Sequence, residues 1–242
     1  MKIVALYNVK GGVGKTSSSV NLAYLSGMDG YKTVLWDLDP QGAATFYLNS
    51  MDKMKGNIKK IITDKDFYEK NIQNTDYPNL KLLPSDIDLR NIDLLFNEIK
   101  KSGKKFRESV KDGFENFDVV FIDCPPGIST LSENIIDVID LILTPLIPSP
   151  LSFRTYELLI GFSENKPIKA FFTMVDKRKK LHKEIISTYL NENHFLKTYI
   201  PYSSKIEMMG IEKKPLPEYE KKSEATESYF MLWQEVKKLL KI

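Results

Sequence analysis

Residues 9–16 read Val9-Lys10-Gly11-Gly12-Val13-Gly14-Lys15-Thr16, setting two lysines, three glycines and a hydroxyl within one short turn. That combination suits phosphate chemistry. Glycines let backbone N–H groups turn inward around phosphate oxygens, and a helix opening at Lys15 would point its positive dipole end at them. Lys15 would reach the β- and γ-phosphates, the Thr16 hydroxyl would sit on Mg²⁺, and Ser17 follows on the same first turn. The apolar run Ile3-Val4-Ala5-Leu6-Tyr7 just before supplies the strand this phosphate-binding loop requires. The pattern departs from G-x-x-x-x-G-K-[ST] at its first position, where Val9 replaces glycine and an extra lysine, Lys10, precedes the double glycine.

Two further segments end in carboxylates. Val119-Val120-Phe121-Ile122-Asp123 is an apolar strand closed by an acid, the Walker B arrangement, and Mg²⁺ requires such hard oxygen ligands. The plainer alternative is an Asp capping the next helix. Thr33-Val34-Leu35-Trp36-Asp37-Leu38-Asp39-Pro40-Gln41-Gly42 places two acids at a strand end before a turn. A carboxylate that aligns water in line with a leaving group is the useful contribution to phosphoryl transfer. Cys124-Pro125-Pro126-Gly127 follows the Walker B acid as a restrained turn, where Cys124 reads as a packed residue and not a nucleophile.

The elements that must position these groups alternate. Strands are expected at Lys2–Asn8, Thr33–Asp37, Leu80–Pro84, Asp118–Asp123, Leu141–Leu146, Ala170–Val175 and Lys197–Ile200. Helices are expected at Lys15–Met28, Ile87–Lys101, Ser129–Val138, Phe153–Ile160, Lys179–Glu192 and Ala225–Leu240. This predicts an α/β fold, a mostly parallel sheet with helices on both faces, in a single domain over residues 1–242. Asn49–Asn79 and Gly210–Ser223 are the least regular stretches and read as surface loops.

Composition excludes several classes. One cysteine, Cys124, permits no intramolecular disulfide, and His182 and His194 show no metal-ligand spacing. No uncharged apolar stretch approaches the roughly 18 residues of a membrane span; Ile135–Leu151 is broken by Asp137, Asp140 and three prolines. With Met-Lys followed at once by a strand, no signal peptide is expected, and the expected location is cytoplasmic. The formal charge is +3, but residues 151–242 hold 17 Lys/Arg against 12 Asp/Glu. The basic excess therefore lies away from the phosphate loop in sequence, a mild asymmetry compatible with phosphate-backbone contact.

The K-G-G-x-G-K-[ST] form resembles the deviant Walker A box of the ParA/MinD family of P-loop ATPases, and D-x-D-P-Q-G at Asp37–Gly42 resembles that family too, most nearly its Soj-like ParA members. The resemblance runs through Leu80–Leu89, Phe172–Asp176 and Tyr199–Pro201, and so spans nearly the whole chain. It implies ATP and Mg²⁺ as cofactors, with Lys10 reaching across a nucleotide-sandwich homodimer to the partner's phosphates. Lys10, Lys15 and Asp39 would be catalytic, Asp39 by activating water. The metal would be held by Thr16 and Asp123, with Asp37 behind them. Residues 124–127 would form a turn responsive to the γ-phosphate, and Met174, Asp176 and Pro201 would lie near adenine.

Two readings of that resemblance differ in the surface used. A ParA-type partition ATPase would bind DNA non-specifically as an ATP dimer, through basic groups at 177–183, 213–214, 221–222 and 237–238. It would be slow alone and stimulated by a ParB-like partner, positioning a DNA or protein cargo. A MinD-like membrane-cycling ATPase would use an amphipathic tail; the stripe Tyr229, Phe230, Leu232, Trp233, Val236, Leu239, Leu240 and Ile242 has helical spacing but reads as core packing, so no stable membrane anchor is expected. A cluster-carrying relative of the nitrogenase iron protein would need two cysteines per subunit. A nucleotide-bound scaffold without turnover would not need Asp39, Asp123, Lys10 and Lys15 all in place.

Overall fold

Strand residues of this chain alternate between two apolar faces, so the sheet they form must be covered on both sides. The computed structural model describes residues 1–50, 54–163 and 166–242. Seven strands make one sheet: β1 (Lys2–Leu6), β2 (Thr33–Asp37), β3 (Gln73–Asn74), β4 (Leu80–Leu83), β5 (Val119–Asp123), β6 (Leu141–Leu146) and β7 (Ile168–Phe172). Their order is β3-β4-β2-β5-β1-β6-β7, and every pairing is parallel except the short β3 against β4. The mostly parallel α/β expectation is met.

On one face, Val4, Leu6, Leu35 and Phe121 pack against α1 (Lys15–Met28) and the last helix of the chain, Glu224–Leu240. On the other, Ala5, Trp36 and Ile122 join residues of α3 (Lys60–Thr63), α4 (Asp66–Asn71), α5 (Ile92–Glu98), α6 (Ser102–Gly113), α7 (Thr130–Val138) and α8 (Pro150–Phe162). The short α2 (Ala43–Tyr47) follows β2. After β7 come α9 (Lys180–Tyr189), the single turns α10 (Ser204–Glu207), α11 (Met209–Glu212) and α12 (Leu216–Tyr219), and the terminal helix, α13.

Trp36, fully buried, anchors the second face with Tyr68 and Phe114 at ring distances of 5.5 and 5.4 Å. Gly113 ends α6 against Tyr68, and a Cβ there would lie 2.6 Å from the ring. Only glycine fits without movement.

The structure differs from the sequence reading at several elements. Lys197–Ile200 does not form a strand. It follows β7 through single bonds at Leu196 and Ile200, while the N–H groups of Lys197 and Thr198 donate to the Glu235 carboxylate at 2.8 and 2.7 Å. A side chain of α13 thus replaces the ladder. β7 begins and ends earlier than expected, stopping before Met174, whose φ of +52° leaves strand geometry. The helix expected at Ile87–Lys101 is a 3₁₀ turn at Ile87–Asn91 followed by α5, and α6 starts after Lys101 at φ +58°. The stretch Asn49–Asn79 carries α3, α4 and β3, with residues 51–53 outside the described part, and Gly210–Ser223 carries α12 and part of α11.

Candidate nucleotide and metal site

The parallel order brings three strand ends together. Asp123 at the end of β5 is the register partner of Leu6 on β1 and of Asp37 on β2. The phosphate loop leaves β1 and enters α1 at Lys15, so it lies beside both acids at the carboxyl edge, where open α/β sheets bind ligands. Gly12 and Gly14 sit at φ +70° and +89°, conformations that cost an L residue strain. No side chain caps α1, whose N-cap is Gly14. Its first-turn N–H groups thus suit an anion.

Neighbouring strand ends hold the loop in shape. Asn8, nearly fully buried, accepts the Lys10 N–H at 2.8 Å and donates to the Pro145 carbonyl at 2.9 Å. Thr173 donates to the Val13 carbonyl at 2.8 Å. The Gly127 N–H donates to Val9 at 2.9 Å, and Tyr7 donates its hydroxyl to Gly127 at 2.6 Å. Asn8, Tyr7 and Thr173 lie outside the motifs that the sequence marks, and each acts through a partner on another strand end.

Lys15 is buried, and its Nζ donates to the Lys10 carbonyl at 3.1 Å, so the two lysines of the motif are directly linked. Burial lowers the Lys15 pKa, while Asp123 opposes that shift. Lys10 itself is half-buried at the rim.

Both oxygens of Asp123 are buried without a hydrogen-bond partner among the described residues. Burial raises its pKa, and so does Asp37; Thr16, Lys15 and Ser19 favour the charged form. A bare carboxylate of this kind beside a threonine hydroxyl fits Mg²⁺, which Asp123 and Thr16 would hold to neutralise phosphate charge. Asp37 has a different task. Its Oδ2 accepts the Thr45 N–H and hydroxyl, each at 2.7 Å, and its Oδ1 accepts the Asp39 N–H at 3.3 Å. Asp37 is therefore saturated by the turn it holds, and its burial raises its pKa. Asp39 stands half-exposed on that turn; it accepts the Gln41 N–H at 2.9 Å, and its carbonyl accepts the Ser85 hydroxyl.

A cleft runs from Gly14 and Ser17 to Met174, Pro201, Ile206 and Tyr229. Met174 and Pro201 thus come together beside the phosphate loop, with an apolar lining suited to a base. Asp176 does not join them. Its carboxylate is bidentate to Arg178 at 2.9 and 2.9 Å, which holds it well below the usual carboxylate range.

Five of the eight residues of the C-terminal apolar stripe pack inward, while Phe230, Leu239 and Ile242 are exposed. Tyr229, Leu232, Trp233, Val236 and Leu240 are buried, and Trp233 and Lys237 both donate to Asp29. No helix among the described residues is long and apolar enough to cross a membrane. Several basic residues already have acidic neighbours: Lys177 with Glu224, Arg178 with Asp176, and Lys180 with Glu184.

The chain matches the family model of the AAA domain, AAA_31, over residues 1–170. It is 29% identical to the chromosome-partitioning ATPase Soj of Treponema pallidum over 250 residues, covering 97% of this chain and 96% of that protein. A protein of Borrelia burgdorferi B31 assigned to plasmid partition and solved with AMPPNP superposes with a TM-score of 0.81 at 22% identity, over 100% of this chain and 99% of the other. The septum site-determining protein MinD of Pyrococcus horikoshii, solved with Mg-ADP, gives 0.78 at 20% identity over 99% and 97%. The chain thus belongs to the AAA-domain family AAA_31, and its lysine pair, strand-end acids and fold resemble those of ParA/MinD ATPases.

Proposed function

We propose that this chain is a ParA-type ATPase that binds ATP with Mg²⁺, closes as a nucleotide-sandwich dimer, binds DNA non-specifically and reopens on hydrolysis. The observation that carries the ATPase part is the unpartnered Asp123 carboxylate beside Thr16 and Lys15, at the uncapped start of α1. Mg²⁺ supplies charge neutralisation and a template for the phosphate oxygens when bound. Lys15 leaves the Lys10 carbonyl for the phosphates, and the loop N–H groups fix their orientation. Lys10 neutralises phosphate charge across the dimer. Asp39, on a turn braced by Asp37 and Ser85, orients the attacking water. Met174 and Pro201 flank the base; Asp176 acts with Arg178 and not on adenine.

The DNA part rests on the basic C-terminal excess and on the kinship with the partition ATPase Soj. Lys179, Lys183, Lys221 and Lys222 are exposed and are the first candidates for phosphate contacts. A ParB-like protein would raise a slow basal rate, and the assembly would position a DNA or protein cargo on the nucleoid. The membrane-cycling alternative needs a free apolar stripe, and five of the eight stripe residues are buried in the core. Magnesium-dependent ATP hydrolysis by wild type and by Asp39→Ala tests the catalytic reading: Asp39→Ala should bind ATP but lose turnover. Equal rates would overturn the assignment.

A further inference from the structure

The turn after β5 is stitched to the phosphate loop by two hydrogen bonds that run in opposite directions. Gly127 donates its N–H to Val9 at 2.9 Å and accepts the Tyr7 hydroxyl at 2.6 Å. Tyr7 is 2% exposed, and its own N–H is fixed by the Leu143 carbonyl on β6 at 3.1 Å. Burial pushes its phenol up to about 12, so the hydroxyl remains a donor at any working pH. Pro126 lies 4.0 Å from where a Cβ on Gly11 would stand, so the turn also touches the loop directly. α7 starts from a Ser129–Ser132 capping box two residues beyond Gly127, so the turn is pinned at both ends.

Sheet order gives this stitch a direction. β7 and β5 lie on opposite sides of β1, with the base cleft on the β7 side and the Asp123 turn on the β5 side. A phosphate chain running from the cleft across the loop ends nearest Pro125–Gly127. The last phosphate of a triphosphate would therefore sense this turn, and a diphosphate would sense it less. We infer that Tyr7 is a positioning residue: its hydroxyl latches the Pro125–Gly127 turn to the phosphate loop and thereby sets the preference of the site for nucleoside triphosphate over diphosphate. This rests on the nucleotide-site reading above and adds a residue outside every motif in it.

Tyr7→Phe keeps the buried ring and removes the latch together with the hydroxyl's contact to Ser132. The test measures Mg²⁺-dependent binding of ADP and of a non-hydrolysable ATP analogue to wild type and variant by calorimetry, with hydrogen exchange across residues 125–130 in the nucleotide-free proteins. The expected result is a triphosphate-to-diphosphate affinity ratio reduced about three- to tenfold, the range one hydroxyl–carbonyl bond supplies, with ADP affinity unchanged. An unchanged ratio, or equal weakening of both nucleotides, overturns the latch. If wild type binds neither nucleotide, the site reading itself fails. Exchange then decides the latch alone: faster exchange at 125–130 but not in α13 supports it, and unchanged exchange overturns it.

Discussion

Asp37 and Asp123 are register partners at the ends of β2 and β5, yet their carboxylates have opposite surroundings. Asp37 is filled by three donors from Thr45 and Asp39, whereas Asp123 has no hydrogen-bond partner at all among the described residues. One acid thus braces the turn that carries Asp39, and the other keeps the open oxygens that the proposed metal role needs. Burial raises the pKa of both acids, and Asp37 adds to the rise at Asp123, a cost a bound divalent ion would remove.

Lys15→Ala should weaken ATP and ADP binding by roughly 100-fold, since it removes a charge-assisted contact to phosphate. Calorimetry with Mg²⁺ checks it. The fold should persist, because the lost bond in the free protein is the single one to Lys10.

Lys10→Ala should bind ATP as a monomer. Light scattering with and without a non-hydrolysable analogue reads the oligomer directly. An intact ATP dimer in the variant would remove the cross-subunit role of Lys10.

Thr45→Val should uncouple the catalytic turn. The Thr45 hydroxyl donates to Asp37 and accepts the Ser85 N–H at 2.8 Å, so its loss leaves two buried groups short of a partner. Denaturant unfolding should show a loss of about 1–3 kcal/mol. Hydrolysis should fall with ATP affinity kept, since Thr45 touches the turn and not the loop.

Gly113→Ala sets two effects against each other. Helix propensity favours alanine by about 1 kcal/mol. The new methyl would meet the Tyr68 ring at 2.6 Å, and that ring is wedged against Trp36 and Phe114 with its hydroxyl bonded to Ile61. Overpacking costs about 1–3 kcal/mol, so the variant should be less stable, with a lower thermal midpoint. A rise would show that Tyr68 can retreat.

The parts of the fold legible in the sequence were those where local and long-range signals agree. α1, β2 and β6 fall at the expected residues because apolar runs and turn residues mark both ends. α6 was missed: its polar surface hides the few buried positions, Phe106, Ser109 and Val110, that hold it to the core. Lys197–Ile200 has strand composition, but Glu235, 37 residues from Thr198, takes its backbone donors. The motif residues that meet at the sheet edge stand out in the sequence; Tyr7, Thr45 and Thr173 do not, since each bonds Gly127, Ser85 or Val13 from far along the chain. Asp176 matched a pattern but found Arg178 two residues away.

In the proposed cycle, ATP gates binding to DNA. Asp39→Ala protein, expected to hold ATP without turnover, is titrated against random-sequence duplex by fluorescence anisotropy with no nucleotide, ADP or ATP, at two salt concentrations. Binding with ATP alone, weakened by salt as counterion release requires, is the predicted result. Equal binding in all three states, or none in any, would contradict it.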